Sequence, residues 1–151
     1  MSEDSTLIEQ NKAIARQLTE LLDHSDVEKI KAILAPNFIS HFAGLPAPLN
    51  REQYILANSA ARAAFTDLRR TVEDVFAEND KVALRITARG THTGKFQGIE
   101  ATGKITKISG IAIRQVVDGK IVEEWVVNDQ LGLMQQLGHF RLPVSSESRQ
   151  G

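Results

Sequence analysis

Leu7, Ile14, Leu18, Leu21 and Leu22 recur at spacings of three and four, which puts them on one stripe of a helix whose other side carries Glu9, Lys12, Arg16 and Glu20. Asp26 is placed to cap a second, short helix with Val27, Ile30, Ile33 and Leu34 as its apolar face, and Pro36 is expected to end it. Asn37 to Phe42 reads as an extended piece, and Gly44, Pro46 and Pro48 then break regular structure. Asn50 caps a third helix over residues 51–64. Ala57, Ala60, Ala61 and Ala64 give it a small face suited to close approach, and Tyr54, Ile55 and Phe65 supply bulk.

From Arg69 the pattern changes to β-branched, extended segments: Arg69 to Ala77, Lys81 to Thr91, Ile105 to Val117 and Lys120 to Val127. Asn79-Asp80 and Asp118-Gly119 are the hairpin turns, the second being the stronger signal because a type I′ turn needs positive φ at both central residues. Helices followed by strands predict an α+β domain: three N-terminal helices packed on a curved antiparallel sheet, curled into a cone. With only six Phe, one Trp and one Tyr to fill it, such a cone is expected to keep an interior cavity. A single domain over residues 1–142 is expected, and the polar run 143–151 reads as a flexible tail.

Composition adds exclusions. The 18 Lys and Arg nearly balance 19 Asp and Glu, so no bulk field draws the chain to nucleic acid or an anionic membrane. With no cysteine, disulfides, thiolate metal sites and a cysteine nucleophile are excluded, in keeping with a reducing compartment. The opening Met1-Ser2-Glu3-Asp4 is acidic where a secretory signal is basic, and no apolar run approaches the about 20 residues that span a bilayer, so cytoplasm is the expected location. There is no His-x-x-His or His-Glu-x-x-His spacing, no Gly-x-Ser-x-Gly elbow, and Gly90, Gly94 and Gly98 lack the strand-to-helix setting of a phosphate loop.

Three segments carry a resemblance: Ala64-Phe65-Thr66-Asp67-Leu68; Gly90-Thr91-His92-Thr93-Gly94-Lys95-Phe96 with its echo Ala101-Thr102-Gly103-Lys104; and Asp118 to Trp125 running on through Asp129-Gln130-Leu131-Gly132 to Gly138. Together with the opening helices they make residues 7–138 similar to the SnoaL-like polyketide cyclases, within the wider group that shares the nuclear-transport-factor-2 fold. The resemblance implies a cone-shaped fold, a homodimer formed through the sheets, no metal and no organic cofactor. It also implies functions broader than ring closure, since cofactor-independent hydroxylase-like proteins belong to the same group.

Asp129 is the first candidate acid or base. If the chain stays extended, Trp125, Val127 and Asp129 share a face, and the carboxyl group stands in a partly desolvated neighbourhood that raises its pKa. The resemblance places the cyclases' acid/base Asp at this position. The competing reading makes Asp129 the N-cap of a helix over residues 131–137, and both can hold at once. His92, at a strand end, is a candidate donor or proton relay, against a structural role. His41, among Phe38, Ile39 and Phe42, is a candidate contact at the pocket mouth, against a bond to the loop backbone. Trp125 is a wall for an apolar or aromatic small molecule or else core, and Phe42, Tyr54, Phe65 and Val127 complete the expected lining. Arg85 and Arg89 occupy the sheet face opposite Val82, Leu84 and Ile86, binding anions if that face is concave and lying on the surface or in a dimer contact if it is convex. His24 and His139 look peripheral.

Relatives often carry a polar group where this chain has Ala112, so an inward Ala112 leaves a carbonyl to be polarised by His92 or His41. The expected activity is proton transfer next to a carbonyl by Asp129, in an aldol closure or isomerisation. The alternatives are a non-catalytic dimeric binding module for an apolar small molecule, or a cofactor-free hydroxylase, dehydratase or epoxide hydrolase.

Overall fold

The structure is a computed structural model that describes residues 3–140; the expected tail at 143–151 lies outside the described residues. Helix α1 (Glu3–His24) and helix α2 (Val27–Ile33) form the opening hairpin, with Asp26 accepting from Lys29 N as the cap of α2. Strand β1 (Leu34–Phe42) follows directly, then the two-residue strand β2 (Leu49–Asn50) and helix α3 (Arg51–Ala64). Asn50 and Gln53 make a reciprocal capping box at the start of α3. Strands β3 (Arg69–Glu78), β4 (Lys81–Thr91), β5 (Ile105–Val117) and β6 (Lys120–Asn128) form the meander, and helix α4 (Gln130–Gln136) ends the described chain. Asp118 and Gly119 have φ of 50° and 78°, the two positive values that the turn between β5 and β6 requires.

Two expectations change. The helix α2 ends at Ile33, before Pro36, and Pro36 lies inside β1 in the irregular stretch between Leu34 and Ile39, where its missing N–H breaks no ladder bond. The sheet, expected to be antiparallel, is mixed. Its order is β2-β1-β6-β5-β4-β3, and β1 runs parallel to β6. Sequential hairpins tie β3 to β6 in chain order, which leaves the outer sides of β3 and β6 as edges, and β1 occupies that of β6.

One face of the curved, unclosed sheet packs on the helices and holds the main core, which includes Leu18, Ile30, Phe38, Val82, Leu84, Val116 and Ile121. On α3 the buried residues are Tyr54, Ile55, Asn58 and Ala64, whereas Ala57 and Ala60 are exposed, so the close contact expected of the alanine face is made at its Ala64 end. There an added Cβ on Gly94 would stand 2.4 Å from the Ala63 carbonyl oxygen and 3.2 Å from Ala64 Cα. Thr93 N and Gly94 N both donate to Ala64 O there, fixing the connection after β4 to that helix end.

Candidate functional site

A single extra residue in β6 decides which side chains face inward. Leaving the turn, Val117 pairs with Lys120 and Val116 with Ile121, but Gln115 then pairs with Glu123, so Val122 is a bulge. Strict alternation from the inward Ile121 would turn Glu123, Trp125 and Val127 toward the helices. The bulge reverses this, because a one-residue shift exchanges the two faces of a strand. Glu124, Val126 and Asn128 are therefore in register with Arg114, Ala112 and Gly110 on the helix side, and the expected placement of Trp125 and Val127 inside the cone is corrected.

The inner face that results holds a buried ionic cluster. Arg114 Nε donates to Glu124 Oε2 at 2.8 Å, and Arg114 Nη1 donates to Ala15 O at 2.6 Å and to Thr19 Oγ1 at 2.7 Å on α1. Glu124 also accepts from Ser40 Oγ of β1 at 2.8 Å and from Tyr54 Oη of α3 at 3.2 Å. Burial is the largest single influence and works against the Arg114 charge, but the Glu124 carboxylate and Tyr54 together outweigh it and hold the guanidinium above its usual value. Burial, reinforced by that carboxylate, pushes the Tyr54 hydroxyl well above the ordinary phenol range, so it remains a donor. Tyr54 thus binds a protein carboxylate and packs edge-on against Phe38. Ala112 does face inward, between Leu84 and Val126, and the polar group on that face sits two residues later, at Arg114.

His92 occupies a second buried site, at the far end of the same face. Its ring has no exposed surface and stacks on Phe65, with centroids 5.3 Å apart. Phe65 belongs to an apolar cluster with Ala64, Ile99, Leu133 and Leu137, against which Leu68, Phe96, Ile108 and Met134 pack. The backbone N–H of Thr102 donates to His92 Nδ1 at 3.2 Å, and Thr102 Oγ1 lies 3.0 Å from the same nitrogen. Thr102 Oγ1 itself accepts from Lys104 N, which leaves its hydroxyl proton to point at Nδ1. A backbone N–H can only donate, so Nδ1 is an acceptor and the neutral ring carries its proton on Nε2. Among the described residues, His92 Nε2 is the buried side-chain nitrogen or oxygen without a partner. Leaving such a group unpaired costs about 1–3 kcal/mol.

Asp129 follows β6 as the N-cap of α4, accepting from Gly132 N at 2.8 Å, while its own N–H donates to Ser109 O. Its side chain is exposed, so the desolvated surroundings expected from Trp125 and Val127 are not formed. No hydrogen bond joins it to His92. The two are linked through α4, whose Leu133 and Leu137 pack in the cluster of Phe65.

Of the other lining candidates, His41, Trp125 and Val127 meet outside. His41 lies opposite Trp125 on the outer sheet face; the rings stack with centroids 5.6 Å apart, and His41 Nε2 donates to Glu123 Oε2 at 2.6 Å. With Phe42, Val127 and the loop from Ala43 to Pro48 they line a groove of about 400 Å³. Across the sheet, Phe76, Ala83, Ile113, Trp125 and His41 stand in one register row, and Asp74, Arg85, Ile111 and Val127 in the next. Arg85 is paired with Asp74 at 2.6 Å, and Arg89 stands between Arg69 and Lys107 on the same outer face, which answers the question of their side. Val127 is 61% exposed, Ile111 54% and Phe76 68%, an uncovered apolar stripe. His24 bonds Glu20 O at the end of α1, away from both sites. Among the described residues no three His, Asp or Glu side chains gather to hold a metal, and no helix is long and apolar enough to cross a membrane.

The mixed, unclosed sheet wrapped on helices and the segment from Asp118 to Gly138 agree with a family model, that of SnoaL-like polyketide cyclases, which matches residues 12–137. The chain belongs to this family. Among solved structures it is similar to AclR, a putative hydroxylase from Streptomyces galilaeus, with 28% identity, a TM-score of 0.80, and 89% of this chain and 99% of that one covered. It is similar also to wild-type IdmH, a putative polyketide cyclase from Streptomyces antibioticus, with 31% identity and a TM-score of 0.78 over 85% of this chain and 99% of that one. A putative SnoaL-like polyketide cyclase from Jannaschia Sp. CCS1 has the same fold, with 22% identity and a TM-score of 0.82 over 93% of this chain and 98% of that one. No curated protein sequence matches the chain.

The Arg114 cluster went unread in the sequence. The signal was present in Arg114 alternating with Ala112 and Val116, but its partner could be chosen only by knowing where the bulge lies.

Proposed function

We propose that this SnoaL-like chain is a cofactor-independent enzyme that moves a proton next to the carbonyl of a small apolar or aromatic molecule, in an aldol closure or an isomerisation, with Asp129 as the acid/base. The observation that carries the reading is the position of Asp129, a carboxylate fixed by Gly132 N at the junction of β6 and α4, within the segment that matches the family. A bound apolar substrate would exclude water from this rim and leave the carboxylate facing the reacting carbon in place of solvent.

Asn caps a helix about as well as Asp, so Asp129→Asn separates the two roles. The probe is solvent deuterium uptake at the activated methylene of a 1,3-diketone, followed by proton NMR. Loss of catalysed uptake by Asp129→Asn with unchanged thermal stability supports the reading, and equal rates overturn it.

Hydroxylation is a second reading, favoured by the likeness to AclR, which is named a putative hydroxylase. Both reactions begin by taking a proton from carbon, and consumption of dioxygen separates them. The active unit in this proposal is a homodimer formed through the outer sheet face, where Ile111, Ile113 and Val127 are uncovered. His41 and Trp125 then lie beside the partner.

A further inference from the structure

We infer that the Nε2–H of His92 is the hydrogen-bond donor for a ligand oxygen, a carbonyl that becomes an enolate, admitted when α4 and the connection after β4 part over the Phe65 ring. The carbonyl identity of the ligand rests on the proton-transfer reading above; the donor itself does not.

Three observations carry it. First, the donor is fixed: Nδ1 accepts from Thr102 N–H and faces the Thr102 hydroxyl, so a ring flip loses both contacts and a change of tautomer loses the bond from the backbone N–H, which can only donate. Second, the donor is unanswered, because Nε2 is buried without a partner among the described residues. Third, the surroundings are apolar on the sides that have been filled. Phe65 covers the ring face, Leu133 and Leu137 come from α4, and Phe96 and Ile99 come from the connection. A single preoriented N–H in such a setting stabilises negative charge that develops on oxygen, because it needs no reorganisation and competes with little water.

The cover is made of small units. The helix α4 has seven residues and is held at its start by Asp129, through Gly132 N. Across the site, Phe96 and Ile99 pair with each other in an isolated bridge. The residue proposed as base therefore also anchors the element that covers the proposed donor. Substrate entering beneath α4 would meet the donor at its oxygen and the carboxylate at the rim.

The inference is tested on the full chain, in the Asp129→Asn background, which keeps the cap but removes the base. The ligand probe is 2-naphthol, a flat enol whose oxygen takes up negative charge, with 2-methylnaphthalene as its counterpart lacking oxygen. Nitrogen-15 correlation spectra should show the His92 ring protonated on Nε2, with that resonance moving on addition of 2-naphthol. His92→Phe keeps the ring stack and removes the donor. It should bind 2-naphthol about tenfold more weakly, the worth of one hydrogen bond to a charge-bearing oxygen, and 2-methylnaphthalene equally well.

Equal loss for both probes, or a ring proton on Nδ1, or an Nε2–H resonance indifferent to 2-naphthol, would overturn the inference. The spectra of the His-containing chain decide the matter even if His92→Phe does not fold. The two proposals fail separately. Deuterium uptake that survives Asp129→Asn removes the base and leaves the naphthol contrast, whereas loss of the contrast removes the donor and leaves uptake dependent on Asp129.

Discussion

Arg114 and Glu124 face one another across β5 and β6 with Nε 2.8 Å from Oε2, their side chains 3% and 1% exposed, and through them five elements of the fold are tied together. Glu124 gathers Ser40 from β1 and Tyr54 from α3, while Arg114 reaches Ala15 and Thr19 on α1. A buried pair gains little over an apolar pair of the same shape, but removing one partner strands the other. Glu124→Gln and Arg114→Met are each expected to cost about 3–5 kcal/mol in urea unfolding. The double substitution Arg114→Met/Glu124→Gln should cost clearly less than the sum. Additive losses would mean that the two residues are not coupled.

The Asp67 carboxylate accepts from Thr91 N at 2.7 Å and from Thr91 Oγ1 at 2.8 Å, tying the start of β3 to the end of β4. These bonds, the backbone one foremost, hold its pKa below the usual 3.8. A depressed folded-state pKa contributes stability that is present above the unfolded value and is lost as pH falls through the folded one. The melting temperature of the wild-type chain should therefore exceed that of Asp67→Asn near neutrality, and the gap should close as pH drops below 3.8. A gap independent of pH would assign the effect to something other than ionisation.

Much of this fold is readable from residues alone. The caps Asp26 and Asn50, the Asp118-Gly119 turn and all four meander strands stand where local chemistry puts them, because each depends on neighbours a few residues away. Two features were not readable. The parallel docking of β1 on β6 joins segments some eighty residues apart, and no local pattern specifies it. The faces of β6 depend on the bulge at Val122, which carries no Gly or Pro to announce it, so the expected lining put Trp125 and Val127 inside the cone, whereas they face outward. His92 could be singled out by its motif, but its fixed tautomer and unpaired Nε2 depend on the fold of the 92–104 connection.

The uncovered outer stripe gives an association test. Ile111 and Val127 are register partners at its centre, each more than half exposed, with Trp125 and Ile113 in the adjoining row. If the chain pairs through this face, Ile111→Lys together with Val127→Lys places two charges in a desolvated contact and should convert dimer to monomer. Sedimentation equilibrium reads this directly, and thermal unfolding of the variant checks that the fold persists. A wild-type chain that is already monomeric at micromolar concentration excludes this face as a stable contact.

Deleting a residue from a paired strand normally exchanges its two faces and is ruinous. Val122 should be the exception. Without it, Ile121 remains opposite Val116, Glu123 opposite Gln115 and Glu124 opposite Arg114, and plain alternation now gives the native faces: Ile121 inward, Glu123 outward, Glu124 inward. The chain lacking Val122 should fold with a loss of about 1–2 kcal/mol, from lost local packing and twist. Its Trp125 should still be quenched by stacking on His41, and Glu124→Gln in this background should cost as much as in the wild type. Deleting Val126 instead, beyond the bulge, shifts the rest of β6 by one and turns Val127 toward the helices and Asn128 away from them, so it should unfold the end of the sheet that carries Asp129. Equal damage from the two deletions would show that the bulge does not set the faces of β6.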